Sequence, residues 1–182
     1  ENSLEMDEEL LCVDESSKHI AVALTDNNVK IMYSDSYKLF ITLYGHTQPV
    51  TCLNFSKDSR YIITGSGDRD IRLWSTDFGD CQKKIYAHDE TITSISWIGN
   101  SHYFFSTSRD GSIKYWDADK DKGTLIQTIG WHGAKGMGST LQAKIDLKEK
   151  DSYITGRQGI NDMVITKRSE EHTSELQSHS DL

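Results

Sequence analysis

One pattern is written twice in this chain, and it leaves few folds open. From His46 the sequence passes through Tyr61-Ile62-Ile63-Thr64, reaches Asp68 and closes on Ile71-Arg72-Leu73-Trp74. From His88 it passes through Tyr103-Phe104-Phe105-Ser106, reaches Asp110 and closes on Ile113-Lys114-Tyr115-Trp116. Both His-to-Trp spans are 28 residues, and the second copy lies 42 residues after the first. A weaker copy precedes them, with Asp26 and Val29 each 42 residues before Asp68 and Ile71. It has Met32 in place of Trp, Val22 in place of Thr or Ser, and no matching His, so it should fold as a like unit without the polar residues. Val50 to Phe55 and Ile92 to Trp97 alternate apolar and polar residues, the mark of a half-buried strand. A unit of this length that recurs at a fixed period buries its apolar face by stacking on its neighbours.

Two sets of side chains stand at identical offsets: His46, Thr64, Asp68, Trp74 and His88, Ser106, Asp110, Trp116. These residues, the period, and the Trp116-Asp117 pair (Trp74-Ser75 is its variant) resemble the WD-repeat propellers, whose blades repeat every ~40–45 residues. The resemblance implies an all-β fold: a partial WD-repeat β-propeller of about three four-stranded blades, followed by an irregular or disordered C-terminal segment. In that family the four side chains form a buried hydrogen-bond chain within one blade. The indole donates, the hydroxyl donates and accepts, and a neutral imidazole does both. Leaving one such group unpaired costs roughly 1–3 kcal/mol, so the chain fixes blade geometry. The same residue types also suit a Ser-His-Asp nucleophile. Two copies at one period favour architecture over a single catalytic centre.

Composition narrows the function classes. No apolar run is long enough to span a membrane, and the first residues are acidic rather than a secretory leader. The formal charge of −8 does not suit nonspecific phosphate binding. The glycines between Gly130 and Gly138 lack the strand, Lys and Ser/Thr of a phosphate loop. The seven His and three Cys form no metal-ligand spacing. The expectation is therefore no catalysis, no cofactor, no metal and no small-molecule substrate. Cys12, Cys52 and Cys81 are widely spaced and read as buried free thiols in a reducing compartment.

The repeat organises residues 1–130 into blades at about 3–37, 38–79 and 80–122, with Leu125–Ile129 as the first strand of a fourth. The pattern then fails: Ser152 stands where the turn Asp belongs, and Gln158 where the Trp belongs. Residues 131–167 read as a non-repeat segment, with a short helix over Leu141–Lys150. Asp151–Gly156 echoes the earlier strand entry too faintly to carry a blade. The tail, residues 168–182, reads by composition as disordered. Arg168 to Ser178 also matches, codon by codon, the translation of a common sequencing-library adapter, so the tail is expected to be foreign to the natural protein. The chain starts without Met and in mid-pattern, and is expected to be a fragment truncated at its C-terminal side.

A narrower resemblance rests on three runs: Thr42 to Val50, Phe78 to Ile92 and Ser101 to Lys120. Gly79-Asp80-Cys81 after the first Trp and Ser101-His102 before Phe104-Phe105 are more specific than a general WD match. They resemble the nucleolar WD-repeat-protein-three family, known in yeast as Dip-two or U-three-associated protein twelve. Members carry two propellers and a helical C-terminal domain. The resemblance implies a non-catalytic scaffold of the small-subunit processome, acting in pre-rRNA processing and 40S ribosome assembly. It also implies a nucleolar location, protein partners in a large assembly, and a mostly indirect association with snoRNA and pre-rRNA. The alternative is a general WD-repeat adaptor, as in substrate recognition by a ubiquitin ligase or a transport complex, because fold alone does not fix function. Binding would use loops at the blade ends: Thr47 and Gln48 after the first His, Asp89 and Glu90 after the second, and the turn residues Arg69 and Arg109.

Overall fold

Short polar turns break each repeat into four strands, and each turn is tight enough to return the chain antiparallel. The computed structural model describes residues 9–119 and 123–130 together with strands 141–144, 152–156 and 163–167. The first sheet is β1 (Leu10–Glu15), β2 (His19–Leu24), β3 (Val29–Tyr33) and β4 (Leu39–Leu43). The second is β5 (Val50–Phe55), β6 (Tyr61–Ser66), β7 (Asp70–Ser75) and β8 (Cys81–Tyr86). The third is β9 (Ile92–Trp97), β10 (Tyr103–Ser108), β11 (Ser112–Asp117) and β12 (Thr124–Gly130). All three are meanders in chain order, so β1, β5 and β9 form the inner edges, with β5 against both β1 and β9. The repeat is kept to the level of register: Ile62 faces Trp74 and Thr64 faces Arg72, as Phe104 faces Trp116 and Ser106 faces Lys114. The turns between second and third strands are likewise superposable. Asn27, Arg69 and Gly111 occupy one repeat position and all have positive φ, at 67°, 72° and 80°. Only the arginine lacks a ready reason to tolerate that region.

The core lies between sheets rather than within them. One cluster joins Ala21, Ala23, Val29, Ile31 and Leu43 of the first sheet to Val50, Leu53, Phe55, Ile62 and Trp74 of the second. The next joins Cys52, Ile63, Ile71, Leu73 and Ile85 to Ile92, Ile95, Trp97, Phe104 and Trp116. The middle sheet is thus packed against a neighbour on both faces. Approach at the second seam is close: a Cβ on Gly65 would stand 2.6 Å from Ile92 Cγ2. Trp97 meets Phe104 edge to face, and Phe104 stacks on Trp116, with centroids 5.5 and 6.1 Å apart.

The structure corrects four sequence expectations. Leu125–Ile129 does not open a fourth sheet; it lies in β12, which pairs with β11 and completes the third. The strand before each inner strand serves the preceding sheet, as β4 and β8 also do. Leu141–Lys144 is a strand, β13, rather than the start of a helix. It pairs with β14 (Ser152–Gly156), which pairs with β15 (Met163–Lys167), so 141–167 contains a three-stranded sheet where an irregular segment was expected. The β-branched residues of Tyr153-Ile154-Thr155 and Val164-Ile165-Thr166 suit a pleated sheet, and losing the turn Asp and the Trp does not remove that propensity. Finally, only Cys52 is a buried thiol; Cys12 is half-buried and Cys81, near the start of outer strand β8, is exposed. Burial pushes both Cys12 and Cys52 up to about 12, leaving them inert thiols. Residues 1–8 and the tail 168–182 lie outside the described residues.

Candidate functional site

The two polar sets assemble at the same end of their sheets. His46 sits between β4 and β5, Thr64 on β6, Asp68 in the β6–β7 turn and Trp74 on β7. Trp74 Nε1 donates to Thr64 Oγ1 at 2.9 Å, Thr64 Oγ1 lies 2.8 Å from His46 Nε2, and His46 Nδ1 lies 2.8 Å from Asp68 Oδ2. In the third sheet the corresponding distances are 2.8 Å for Trp116 to Ser106, 2.7 Å for Ser106 to His88 and 2.9 Å for His88 to Asp110. The donors assign one direction to the whole chain: indole to hydroxyl, hydroxyl to Nε2, and Nδ1–H to carboxylate. Thr64 and Ser106 are 0% exposed.

The carboxylates also hold the loops. Asp68 accepts from the backbone N–H of Thr47 at 3.0 Å and of Asp70 at 3.1 Å. Asp110 accepts from the Asp89 N–H at 3.2 Å, and from the Ser112 N–H and hydroxyl at 2.8 and 2.6 Å. Burial works against the Asp68 charge, but the bonds from His46, Thr47 and Asp70 outweigh it and hold the carboxyl well below the usual carboxylate range. For Asp110 the same opposition, won by Ser112, His88 and Asp89, draws it down to about 2. Burial lowers the His88 pKa and nearby Lys114 adds to this, while Asp110 resists.

Chemically the third-sheet set has the contacts of a Ser-His-Asp triad. It cannot work as one, because Ser106 is sealed from solvent and the Trp116 indole already donates to its oxygen. The six loop residues behave differently. Thr47, Gln48, Arg69, Asp89, Glu90 and Arg109 are all exposed, while their backbones are tied inward. The Gln48 and Glu90 carbonyls accept from Ser66 and Ser108 at 2.9 and 3.0 Å. The Arg69 carbonyl accepts from the N–H groups of Ala87 and His88, and the Arg109 N–H donates to the Thr91 carbonyl. The structure thus places the six on one end of the second and third sheets, as short, braced loops.

Two features of the site escaped the sequence reading. Ser66 and Ser108 anchor each loop from β6 and β10, and their hydroxyls also accept from the Asp68 and Asp110 N–H. Lys114 Nζ donates to the Ala87 carbonyl at 2.6 Å, just before His88, and Arg72 lies against Gly45, just before His46. Both pairs repeat at 42 residues, so the signal was present in the spacing. In the first sheet, the positions of hydroxyl and indole hold Val22 and Met32, which bury at 3% and 4% with Leu24 in an apolar cluster. Asp26 there accepts, among the described residues, from Asn28 within its own turn. Among the described residues, no group of three or more His, Cys, Asp or Glu is placed to hold a metal ion.

A family model of the WDR3 second beta-propeller domain matches residues 1–143. The chain belongs to that family. Curated relatives include human WD repeat-containing protein 3, 50% identical over 50 residues, which are 26% of this chain and 5% of that protein. The U3 small nucleolar RNA-associated protein 12 of Saccharomyces cerevisiae is 43% identical over 56 residues, 30% of this chain and 6% of that protein. The matched part of the chain therefore spans only a small fraction of either relative. The fold is also similar to solved structures: U3-55K, with a TM-score of 0.68, 14% identity, and coverage of 90% of this chain and 53% of that one. The computationally designed Ika4 protein gives 0.67 at 17% identity, covering 91% and 94%. At those identities the likeness concerns fold alone.

The chains predict unequal costs for three equivalent aspartates. Asp68→Ala and Asp110→Ala should each destabilise the protein by roughly 1–3 kcal/mol, by stranding a buried imidazole and a loop N–H. Asp26→Ala should cost less, and equal shifts in chemical denaturation for Asp26→Ala and Asp110→Ala would contradict the assignment. Acid should act on the same groups. His88 is lowered from 6.5, so the unfolded chain takes up that proton first; its contribution is complete above pH 6.5 and is lost as pH falls through the native value. Asp110, lowered from 3.8 to about 2, adds a further loss between those values. Thermal melts from neutral pH downward should show the midpoint falling below pH 6.5 and again below 3.8. A midpoint level from pH 7 to pH 4 would count against a neutral, chain-bonded His88.

Proposed function

We propose that this chain is part of a non-catalytic scaffold of the small-subunit processome, acting in pre-rRNA processing and 40S assembly in the nucleolus. The observation that carries the reading is the match of residues 1–143 to the WDR3 second propeller, with a yeast relative whose name ties it to the U3 small nucleolar RNA. The geometry supports a scaffold. The residues that resemble a catalytic set are sealed and spent on architecture, whereas the exposed groups sit on loops with fixed backbones. Thr47, Gln48, Arg69, Asp89, Glu90 and Arg109 present both charge signs and amide and hydroxyl groups on one end. Such a surface recognises protein neighbours without paying much ordering entropy. Association with snoRNA and pre-rRNA is through those neighbours, in keeping with the net acidic charge.

The test is to tag the full-length gene product in its source cells, purify it, and probe the eluate for U3 RNA and small-subunit precursor RNA. Enrichment of both, nucleolar fluorescence, and accumulation of unprocessed small-subunit precursor on depletion are expected. Purification with ubiquitin-ligase or coat subunits and no RNA enrichment would overturn the proposal in favour of a general adaptor.

A further inference from the structure

Among the described residues several polar bonds cross the seams between the sheets: Cys12 Sγ reaches the Val50 carbonyl, Thr51 Oγ1 donates to the Ile92 carbonyl at 2.5 Å, and a crossing through Asn54 reaches both neighbouring sheets. Asp14, on inner strand β1, accepts from the Phe55 backbone N–H at 2.7 Å and from Asn54 Nδ2 at 3.0 Å, both on inner strand β5. The other end of the same amide faces the opposite way. Asn54 Oδ1 accepts from the backbone N–H of Trp97, on inner strand β9, at 3.0 Å, and the Asn54 carbonyl accepts from the Trp97 indole at 3.1 Å. One side chain therefore bonds to the sheet before it and the sheet after it. The two N–H groups need such partners. Inner strands pair on one edge only, so an N–H on the free edge is left to the seam. Phe55 and Trp97 are buried, at 6% and 7% exposed, while the polar side chains between them, Asp14 and Asn54, are half-buried and line an open cleft. The occupant must donate to a carboxylate on one side and accept from an N–H on the other. Among short side chains the asparagine amide does both without carrying a charge.

We infer that Asn54 is a positioning residue that couples all three sheets, holding the inner strands at fixed spacing so that the loops at their ends act as one surface. The apolar clusters join the sheets in pairs and do not specify how they slide; a crossing with one donor direction and one acceptor direction does. The crossing makes unfolding of the sheets a single event, which independent stacking of repeats would not require.

The experiment uses the 182-residue chain in a Trp131→Phe background, so that fluorescence reads only Trp74, Trp97 and Trp116, which lie in the second and third sheets. Urea unfolding is followed by fluorescence and by far-ultraviolet circular dichroism, which also senses the first sheet. The parent curves should superimpose. In Asn54→Ala they should separate, with the unfolding constant raised about tenfold or more. Asn54→Asp keeps an acceptor for Trp97 but sets a carboxylate against Asp14, so the first sheet alone should release early, in the dichroism curve. Asp14→Ala and Asn54→Ala should be non-additive when combined, because they share a bond. Asn54→Ala curves that still superimpose at the parent midpoint, parent curves that fail to superimpose, or full additivity of the pair would each overturn the inference.

Discussion

A buried polar group must find a partner or cost about 1–3 kcal/mol, and the second and third sheets each bury several in one line. The line runs in one direction, because the indole can only donate, the carboxylate can only accept, and the hydroxyl and neutral imidazole between them each accept from one side and donate to the other. That order fixes the β6–β7 and β10–β11 registers, the tautomer of the histidine and the place where the chain enters the next inner strand. The loops then follow. The carboxylate that ends each line has acceptor sites to spare and uses them on the N–H of Thr47 or Asp89. Folding and surface presentation are thus settled by the same four residues.

The first sheet shows that this is one solution and not the only one. Val22, Leu24 and Met32 fill the corresponding space with apolar volume and keep the meander. Apolar packing is enough to make a sheet of this kind, and among the described residues Asp26 there holds a local turn. The polar line adds specificity at the loop end, and the two sheets that have it carry the exposed residues proposed to meet partners.

Much of this was legible in the sequence because the repeat is strict. A spacing kept to the residue places each member of the polar line at the same pleat position, so the tetrads could be named from offsets alone. What could not be read falls into two kinds. The sheet to which a strand belongs is a tertiary matter: Leu125–Ile129 reads as the start of a unit and packs as the end of one, because the outer strand of each sheet is supplied after the repeat signature has closed. The 141–167 strands carry neither the turn Asp nor the Trp that mark the repeat, and their β-branched residues still suit them to pair. The crossing through Asn54 was invisible for a different reason. Its partners, Asp14 and Trp97, are 40 and 43 residues away, so neither keeps the 42-residue step.

The polar line depends most on the imidazole at its centre. Nitrogen-15 NMR of the histidine side chains at neutral pH reads its protonation and tautomer directly. His88 is predicted to be neutral, with its proton on Nδ1 toward Asp110 and a bare Nε2 accepting from Ser106. A proton on Nε2, or an imidazolium carrying both, would break the direction of the chain and contradict the account.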